Sequence, residues 1–295
     1  MSAVPTVSVV IPTVGREEVA IAVQSALDQT HAVHEVLVMA DTADEFEVPA
    51  DPRVRIIRVG PRAGGNVARQ TGVEQATGEL VALLDDDDAW LPGRIQTQLA
   101  AVAAAGPTDD GWFATSRVLM RRSEEVQFPY PAVAYESSES IARYLFLKRT
   151  PRSSHGFIQA STLLFPRSLA LRVPFDTSLR FHQDISWLID VQRTVPRVLV
   201  VQVWEPLVVY NWVEGSVSKK ISANDSIAWA RGRLSDDKRA LGEFILSQSF
   251  NFARRTRSTK AMLDVIASAV RVGRPGPAAL IYSLGATAKT SLGIS

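Results

Sequence analysis

Four carboxylates stand in a row, Asp85-Asp86-Asp87-Asp88, directly after the apolar run LVALL at 80–84. Like charges a few ångströms apart repel, and partial burial strengthens the repulsion. One remedy is a divalent cation such as Mg2+ or Mn2+, which takes one or two protein carboxylates and completes its shell with water and substrate phosphates. The other is a solvated acidic turn, with Asp88 capping the helix that AWLPGRIQTQL begins, where the helix dipole favours an acid. The run itself leaves both open. A second acid, Asp41, closes another apolar run, EVLVM at 35–39, and a bland turn explains neither the four acids nor their pairing with Asp41.

The elements that must position these acids are short and alternate in type. VSVVI at 7–11 is β-branched throughout, the pattern of a strand covered on both faces. A helical stretch follows, with Val19, Val23, Ala26 and Leu27 at helical spacing. Further strands are expected at 35–39, 53–59 and 80–84, with a helix over 66–76 that Gly78 ends. Strands alternating with helices make a mainly parallel α/β sheet, and ligands bind such sheets outside the carboxyl ends of the strands. Asp41 and the 85–88 run should therefore meet at one edge. Beyond them, strands are expected at 112–120 and 198–210 and an amphipathic helix at 185–193. Helices then run over 227–253 and 259–272, with an apolar end after Pro275.

Composition narrows the classes. The chain has 295 residues, 46% apolar and 21% charged, an ordinary globular mix that excludes disorder, collagen and disulfide scaffolds. It has no Cys and 4 His (His31, His34, His155, His182), which removes thiolate sites and makes a His-rich zinc site a poor expectation. The formal net charge of +1 is uneven: 219–295 hold 13 basic and 5 acidic residues, leaving 19 and 26 in 1–218. An acidic body is a poor nucleic-acid binder. The N-terminus has no basic region before its apolar run, and no apolar stretch reaches the roughly 20 residues a membrane span needs. The expectation is a cytoplasmic protein, with peripheral contact at the inner face of the membrane left open.

Five blocks, in order, resemble a family 2 glycosyltransferase of the GT-A fold over about residues 5–218. They are VSVVIPTVGR, SALDQTHAVHEVLVMAD, GGNVARQTGVEQATGELVALLDDDDAWLPGRI, STLLFPRSL with FDTSLRFHQDISWLI, and EPLVVYNWVEGSVSK. The resemblance implies a GT-A domain at 1–218, a basic helical extension at 219–295, and a nucleotide-diphosphate sugar donor, UDP by default. It implies that Pro12 and Thr13 present backbone near the nucleotide, that Asp41 contacts its base, and that Arg69 pairs with pyrophosphate or orients Asp41. Asp86 is implied to take the ribose and Asp87 the Mn2+ or Mg2+ ion, with Asp85 at the same nucleotide–metal site. Asp85 and Asp88 are read as supporting ligands or helix caps.

The family's Glu-Asp motif falls on Gln183-Asp184. Asp184 is implied to be the general base that takes the acceptor hydroxyl proton, with inversion at the anomeric carbon. Gln183, His182 and Trp187 are acceptor-site candidates, with a core position an equal reading of Trp187 and a polar structural role favoured for His182. The loop 211–220, with Ser216, Ser218, Lys219 and Lys220, is expected to act as a lid. The acceptor is a glycan, a lipid-linked sugar or a small molecule. The departures Ala40 and Gln183 keep a non-catalytic nucleotide-sugar binder in play, whereas a nucleotidyltransferase would need a Gly-rich phosphate loop that PTVGR lacks. The basic tail is expected to be a solvated or oligomer-forming face, with a membrane-surface role as the second reading.

Overall fold

The computed structural model describes residues 4–123, 126–151, 156–211 and 221–293. The expected lid residues Ser216, Ser218, Lys219 and Lys220, and also His155, lie outside them. The chain divides into two compact units, one of residues 1–130 with 158–213 and the other of 131–157 with 214–295.

The first unit is built on a mixed sheet. Its elements are β1 (Val7–Thr13), α1 (Val19–Leu27), β2 (Glu35–Ala40), β3 (Val54–Arg58), α2 (Gly65–Gln75), β4 (Leu80–Leu83), β5 (Ala89–Trp90), α3 (Arg94–Ala105), β6 (Trp112–Arg121) and β7 (Gln127–Tyr130). The strand order is β3-β2-β1-β4, followed by β8 (Leu164–Pro166), β6, β9 (Leu199–Asn211) and β5, with β7 beside β6. The first four strands are parallel; β8 turns antiparallel against both β4 and β6. Strands β2 and β4 are buried at every position and β1 at all but Pro12, as their unbroken apolar runs require when helices cover both faces. Gly72 lets α2 lie close on the sheet, since a Cβ there would strike Val10. In the parallel register Thr13 pairs with Ala40 and Val10 with Leu83, so β1, β2 and β4 all end at one edge.

Two shorter devices shape that edge. A 3-10 turn at Ala160–Thr162 precedes β8. A register shift between Ser116 and Val118 on β6 sets Arg117 opposite Pro206 and carries β9 on to Tyr210 and Asn211. Helix α6 (Gln183–Thr194) follows α5 (Arg167–Arg172) and starts two residues before the expected position.

The second unit is helical: α4 (Ile141–Phe146), α7 (Ala223–Arg233), α8 (Lys238–Phe244), a π-helical turn at Ile245–Ser249, α9 (Phe250–Arg255), α10 (Thr259–Val272) and α11 (Pro277–Ser291). The helix expected over 227–253 is interrupted. Leu234 ends α7, and the Asp237 carboxylate accepts from the Arg239 and Ala240 N–H groups to start α8. Phe244 packs on Phe146 and Trp229, with ring centroids 4.8 Å apart in both pairs. Those contacts gather residues 131–157 to the C-terminal helices, so the division is discontinuous where the sequence suggests one cut after residue 218. Glu243, fully buried, accepts from the Gly276 N–H (2.8 Å), the Lys148 N–H (3.1 Å) and Arg239 (2.9 Å), tying three segments of this unit together. No described helix is long and apolar enough to cross a membrane.

Candidate active site

The carboxylates after β4 are neither bare nor merely solvated. Thr13, the last residue of β1, donates its hydroxyl to Asp86 at 2.7 Å. Arg16, in the turn that follows, reaches Asp87 at 2.6 Å and Asp86 at 3.2 Å. Arg69, on the buried face of α2, donates to Asp85 at 2.6 Å and to the Gln183 amide oxygen at 2.9 Å. One guanidinium thus spans the acidic run and the first turn of α6, where Asp184 follows Gln183. The Arg69 charge and that of Asp85 both act on Asp184. Tyr210, at the end of β9, is held neutral by burial and by Asp88, Asp85, Asp184 and Asp87 together. The sequence-distant acids share one electrostatic site.

Even with two arginines present, negative charge is in excess. Burial pushes Asp86 up from the usual aspartate range, and neighbouring Asp87 and Asp85 add to it. Asp87 is raised by burial and then by Asp85. Asp88 is raised well above the usual range, by burial and again by Asp85. Burial also raises Asp184, against the pull of Arg69. A carboxylate that gives up its proton only above the usual range is a stronger base once ionised.

Asp88 is not a helix cap. The chain after it forms β5, and α3 begins at Arg94 with Gly93 before it and no side-chain cap. Asp88 instead turns inward, accepting from Ser161 (2.6 Å), Gln159 (3.0 Å) and the Asn211 N–H (3.2 Å). Gln159 also donates to Asp85 at 2.8 Å, and the Ser161 hydroxyl accepts the Asp85 N–H at 2.9 Å. This shelf is fixed from behind. Three successive carbonyls, of Ser161, Thr162 and Leu163, accept from Trp90, Gln98 and Arg94. Arg94 is fully buried with its guanidinium 4.0 Å above the Trp90 ring, and burial lowers its pKa to about 9.

Asp41 lies at the same edge but is occupied locally. Its two oxygens accept from the Ala63 N–H (2.6 Å) and the Gly64 N–H (2.7 Å), and its own N–H donates to the Thr13 carbonyl at 2.8 Å. Gly64 has φ +100°, a conformation open to glycine and strained for other residues. Arg69 therefore does not orient Asp41: backbone N–H groups do that, and Arg69 serves Asp85 and Gln183. Pro12 sits in β1 beside Met39.

His182 precedes α6 in the left-handed region, at φ +52° and ψ +34°, a rare conformation for a residue with a Cβ. It turns the chain so that Gln183 and Asp184 open the helix, and its carbonyl accepts from the Ser186 N–H and hydroxyl. Burial lowers its pKa to about 4, so the ring is neutral at pH 7. Trp187 is corrected from an acceptor-site candidate to a core residue. It is 1% exposed, stacks on Phe175 at 4.9 Å, and donates its indole N–H to the Val173 carbonyl. One turn into an amphipathic helix, it follows the buried face with Ser186 and Val191 rather than the site.

The residues fit a hard cation of the Mg2+ or Mn2+ kind. The donors are carboxylate oxygens, Asp87 keeps partial solvent contact, and the run carries uncompensated charge. No set of three or more acidic or His ligands converges among the described residues. Sequence reasoning missed Arg16, Gln159, Ser161, Tyr210 and Asn211. Arg16 was legible as the basic residue in the turn after β1; the other four reach the run only through the antiparallel placing of β8 and the bulged course of β9.

The model described as Glycosyl transferase family 2 matches residues 8–168. The amylovoran biosynthesis glycosyltransferase AmsB of Erwinia amylovora is 27% identical over 235 residues, 75% of each chain. The UDP-Glc:alpha-D-GlcNAc-diphosphoundecaprenol beta-1,3-glucosyltransferase WfgD of Escherichia coli is 30% identical over 100 residues, 32% of this chain and 40% of that one. The crystal structure of S. aureus TarS 1-349 in complex with UDP-GlcNAc superposes with a TM-score of 0.57 at 13% identity, covering 98% of this chain and 92% of that one. In another crystal structure of S. aureus TarS, with a TM-score of 0.53, the match covers 43% of that chain. The fold is the GT-A type.

Proposed function

Because the chain belongs to glycosyl transferase family 2 and is a glycosyltransferase, we propose that it moves a sugar from a UDP-sugar to an acceptor hydroxyl in polysaccharide or glycoconjugate assembly, with inversion. The observation that carries this is the Arg69 bridge, one cation bonded both to Asp85 in the acidic run and to Gln183 beside Asp184. It supports a reading in which the acidic run binds diphosphate and the neighbouring Asp184 accepts a proton. The donor class is supported by the UDP-GlcNAc in the similar TarS structure and by the UDP-Glc in the name of WfgD. That name also supports a lipid-linked acceptor.

The step balances on this chain's residues. The Asp184 carboxylate takes the acceptor O–H proton as that oxygen bonds the anomeric carbon from the face opposite the diphosphate. The bond from the anomeric carbon to the diphosphate oxygen breaks, and its electron pair leaves with the nucleotide. Asp87, with Asp85 or Asp86, would hold Mn2+ or Mg2+. A cation bound there supplies positive charge for the departing diphosphate. Arg16 and Arg69 limit the repulsion between that diphosphate and the carboxylates. Gln183 and neutral His182 shape the start of α6 on the acceptor side.

The test pairs binding with turnover. UDP-, dTDP- and GDP-sugars, each with and without Mn2+, are compared by thermal shift; binding only the folded state raises its melting point. The UDP-sugar with Mn2+ should give the largest rise. Asp184→Asn should keep that rise while transfer falls by about 10²–10⁴-fold. Unchanged transfer in Asp184→Asn would remove the base assignment, and no rise with any donor would favour a different ligand.

A further inference from the structure

Helix α11 is inside out. The side it buries in its unit carries Ala279, Ser283 and Thr287, exposed by 0%, 0% and 5%. The side it presents outward carries Ile281, Leu284 and, just past its end, Leu292, exposed by 58%, 50% and 73%. Pro277, Gly285 and Ala288 are exposed on the same helix. The positions 277, 281, 284, 288 and 292 follow the helical period, so they form one apolar stripe. The hydroxyls can face inward because they are satisfied within the helix: Ser283 donates to the Ala279 carbonyl and Thr287 to the Ser283 carbonyl. Its neighbour α10 buries Met262, Val265, Ile266 and Ala269 in the ordinary way, yet leaves Leu263 and Val270 about half exposed.

Cations reach α11 directly: Lys289 lies on it, and Arg254 donates to the Tyr282 hydroxyl at 3.3 Å. From residue 250 onward the basic residues are Arg254, Arg255, Arg257, Lys260, Arg271, Arg274 and Lys289, all exposed, against a single acid, Asp264. An apolar stripe with basic neighbours matches the surface of a bilayer carrying anionic lipid: apolar side chains enter the headgroup boundary while the cations meet phosphate. A second copy of this chain would bring the same excess of positive charge against itself, which opposes association. Spanning is not at issue, since no described helix is long and apolar enough.

We propose that α10 and α11 dock the protein on an anionic membrane surface, with Ile281, Leu284 and Leu292 inserted and Arg254 and Lys289 on the headgroups. This stands on the helix faces and holds whatever sugar is transferred. The full chain is floated with phosphatidylcholine vesicles with or without phosphatidylglycerol. It should float with the anionic vesicles alone and be released by salt. Ile281→Ser with Leu284→Ser should stay unbound while its thermal melt is unchanged, because both side chains are exposed. Arg254→Gln and Lys289→Gln should each lower partitioning about fivefold. Failure of the native chain to float, or equal flotation of the Ile281→Ser/Leu284→Ser variant, overturns the proposal. So does a dimer in light scattering that those two substitutions dissolve, or capture of an acidic protein with no vesicle binding. The vesicles hold neither donor nor acceptor, so a negative result leaves the transfer chemistry untouched, and loss of transfer in Asp184→Asn leaves docking untouched.

Discussion

The acidic edge of the sheet and the outer face of α11 break the usual partition of residues in opposite directions. At the edge, charge is taken inward: Arg69, Asp86 and Asp88 are buried. At α11, hydrocarbon is turned outward and hydroxyls inward. The first departure is compensated in part inside the chain, by Arg16, Arg69, Gln159 and Ser161. The second has no described cover in the chain. A buried charge without a partner costs several kcal/mol, so the fold must supply one. Exposed hydrocarbon costs less and tolerates a partner that comes from outside.

The comparison can be broken most sharply where each region is packed tightest. Trp187→Ala should cost about 3–5 kcal/mol in denaturant unfolding, as for a large aromatic removed from a core. A soluble, fully stable Trp187→Ala protein with only acceptor affinity lost would return this residue to the site. Arg69→Leu should lower stability by about 1–3 kcal/mol, because Asp85, partly exposed and still bonded by Gln159, loses its ion-pair partner. In that variant the acid limb of the transfer rate should also move to higher pH. Arg69 opposes the burial that raises Asp184, so its removal leaves the base protonated over a wider range. A pH–rate profile identical to the native one would separate Arg69 from Asp184.

On α11 the two faces predict unequal outcomes. Ala279→Leu overpacks the buried side and should cost about 1–3 kcal/mol. Ile281→Ser on the exposed side should stay within about 0.5 kcal/mol of the native protein. Equal losses on the two faces would show that the stripe is covered within the chain.

The smallest expected effect is a pH dependence away from both regions. Glu35 is pulled up by burial, but bonds from Thr77, Ser8 and Arg55 outweigh it and hold it below the usual glutamate range. Its contribution is therefore present above the unfolded value and lost as pH falls through the lower folded one. Glu35→Gln should flatten the acid limb of a melting-temperature profile. The buried aspartates act in the opposite sense, since raised values favour the protonated form in the folded state. A native profile that rises on acidification through this range would mean that they dominate.

Much of the edge was legible in order and type. VSVVI, EVLVM and LVALL are covered strands because continuous β-branched and aliphatic runs have no polar face to show water. Acids that follow such strands belong at the carboxyl edge. What each acid touches was not legible. Asp88 read as a supporting ligand or a helix cap, the latter because AWLPGRIQTQL looks helical from its start, whereas the pairing of Ala89 and Trp90 with β9 pulls those two residues into the sheet. Trp187 and Asp184 are three apart in one helix, and only the packing of Phe165 and Phe175 separates a core face from a site face. The inverted face of α11 escaped for a similar reason: its small, hydroxyl and aliphatic residues are mixed, and a period does not say which side meets the protein.

By itself the sequence determined the alternation of strand and helix, the carboxylates at strand ends, the family, and the basic bias of the tail, because periodicity, run length and charge are local properties. Tertiary structure decided that Arg69 serves Asp85 and Gln183, that Asp41 is tied down by backbone N–H groups, that Gln159 and Ser161 hold the acidic run, and that α11 faces outward with its hydrocarbon. Those facts depend on which strands lie side by side and which helix face is covered. Both are settled by long-range pairing and burial, whose partners here lie as many as 124 residues apart along the chain.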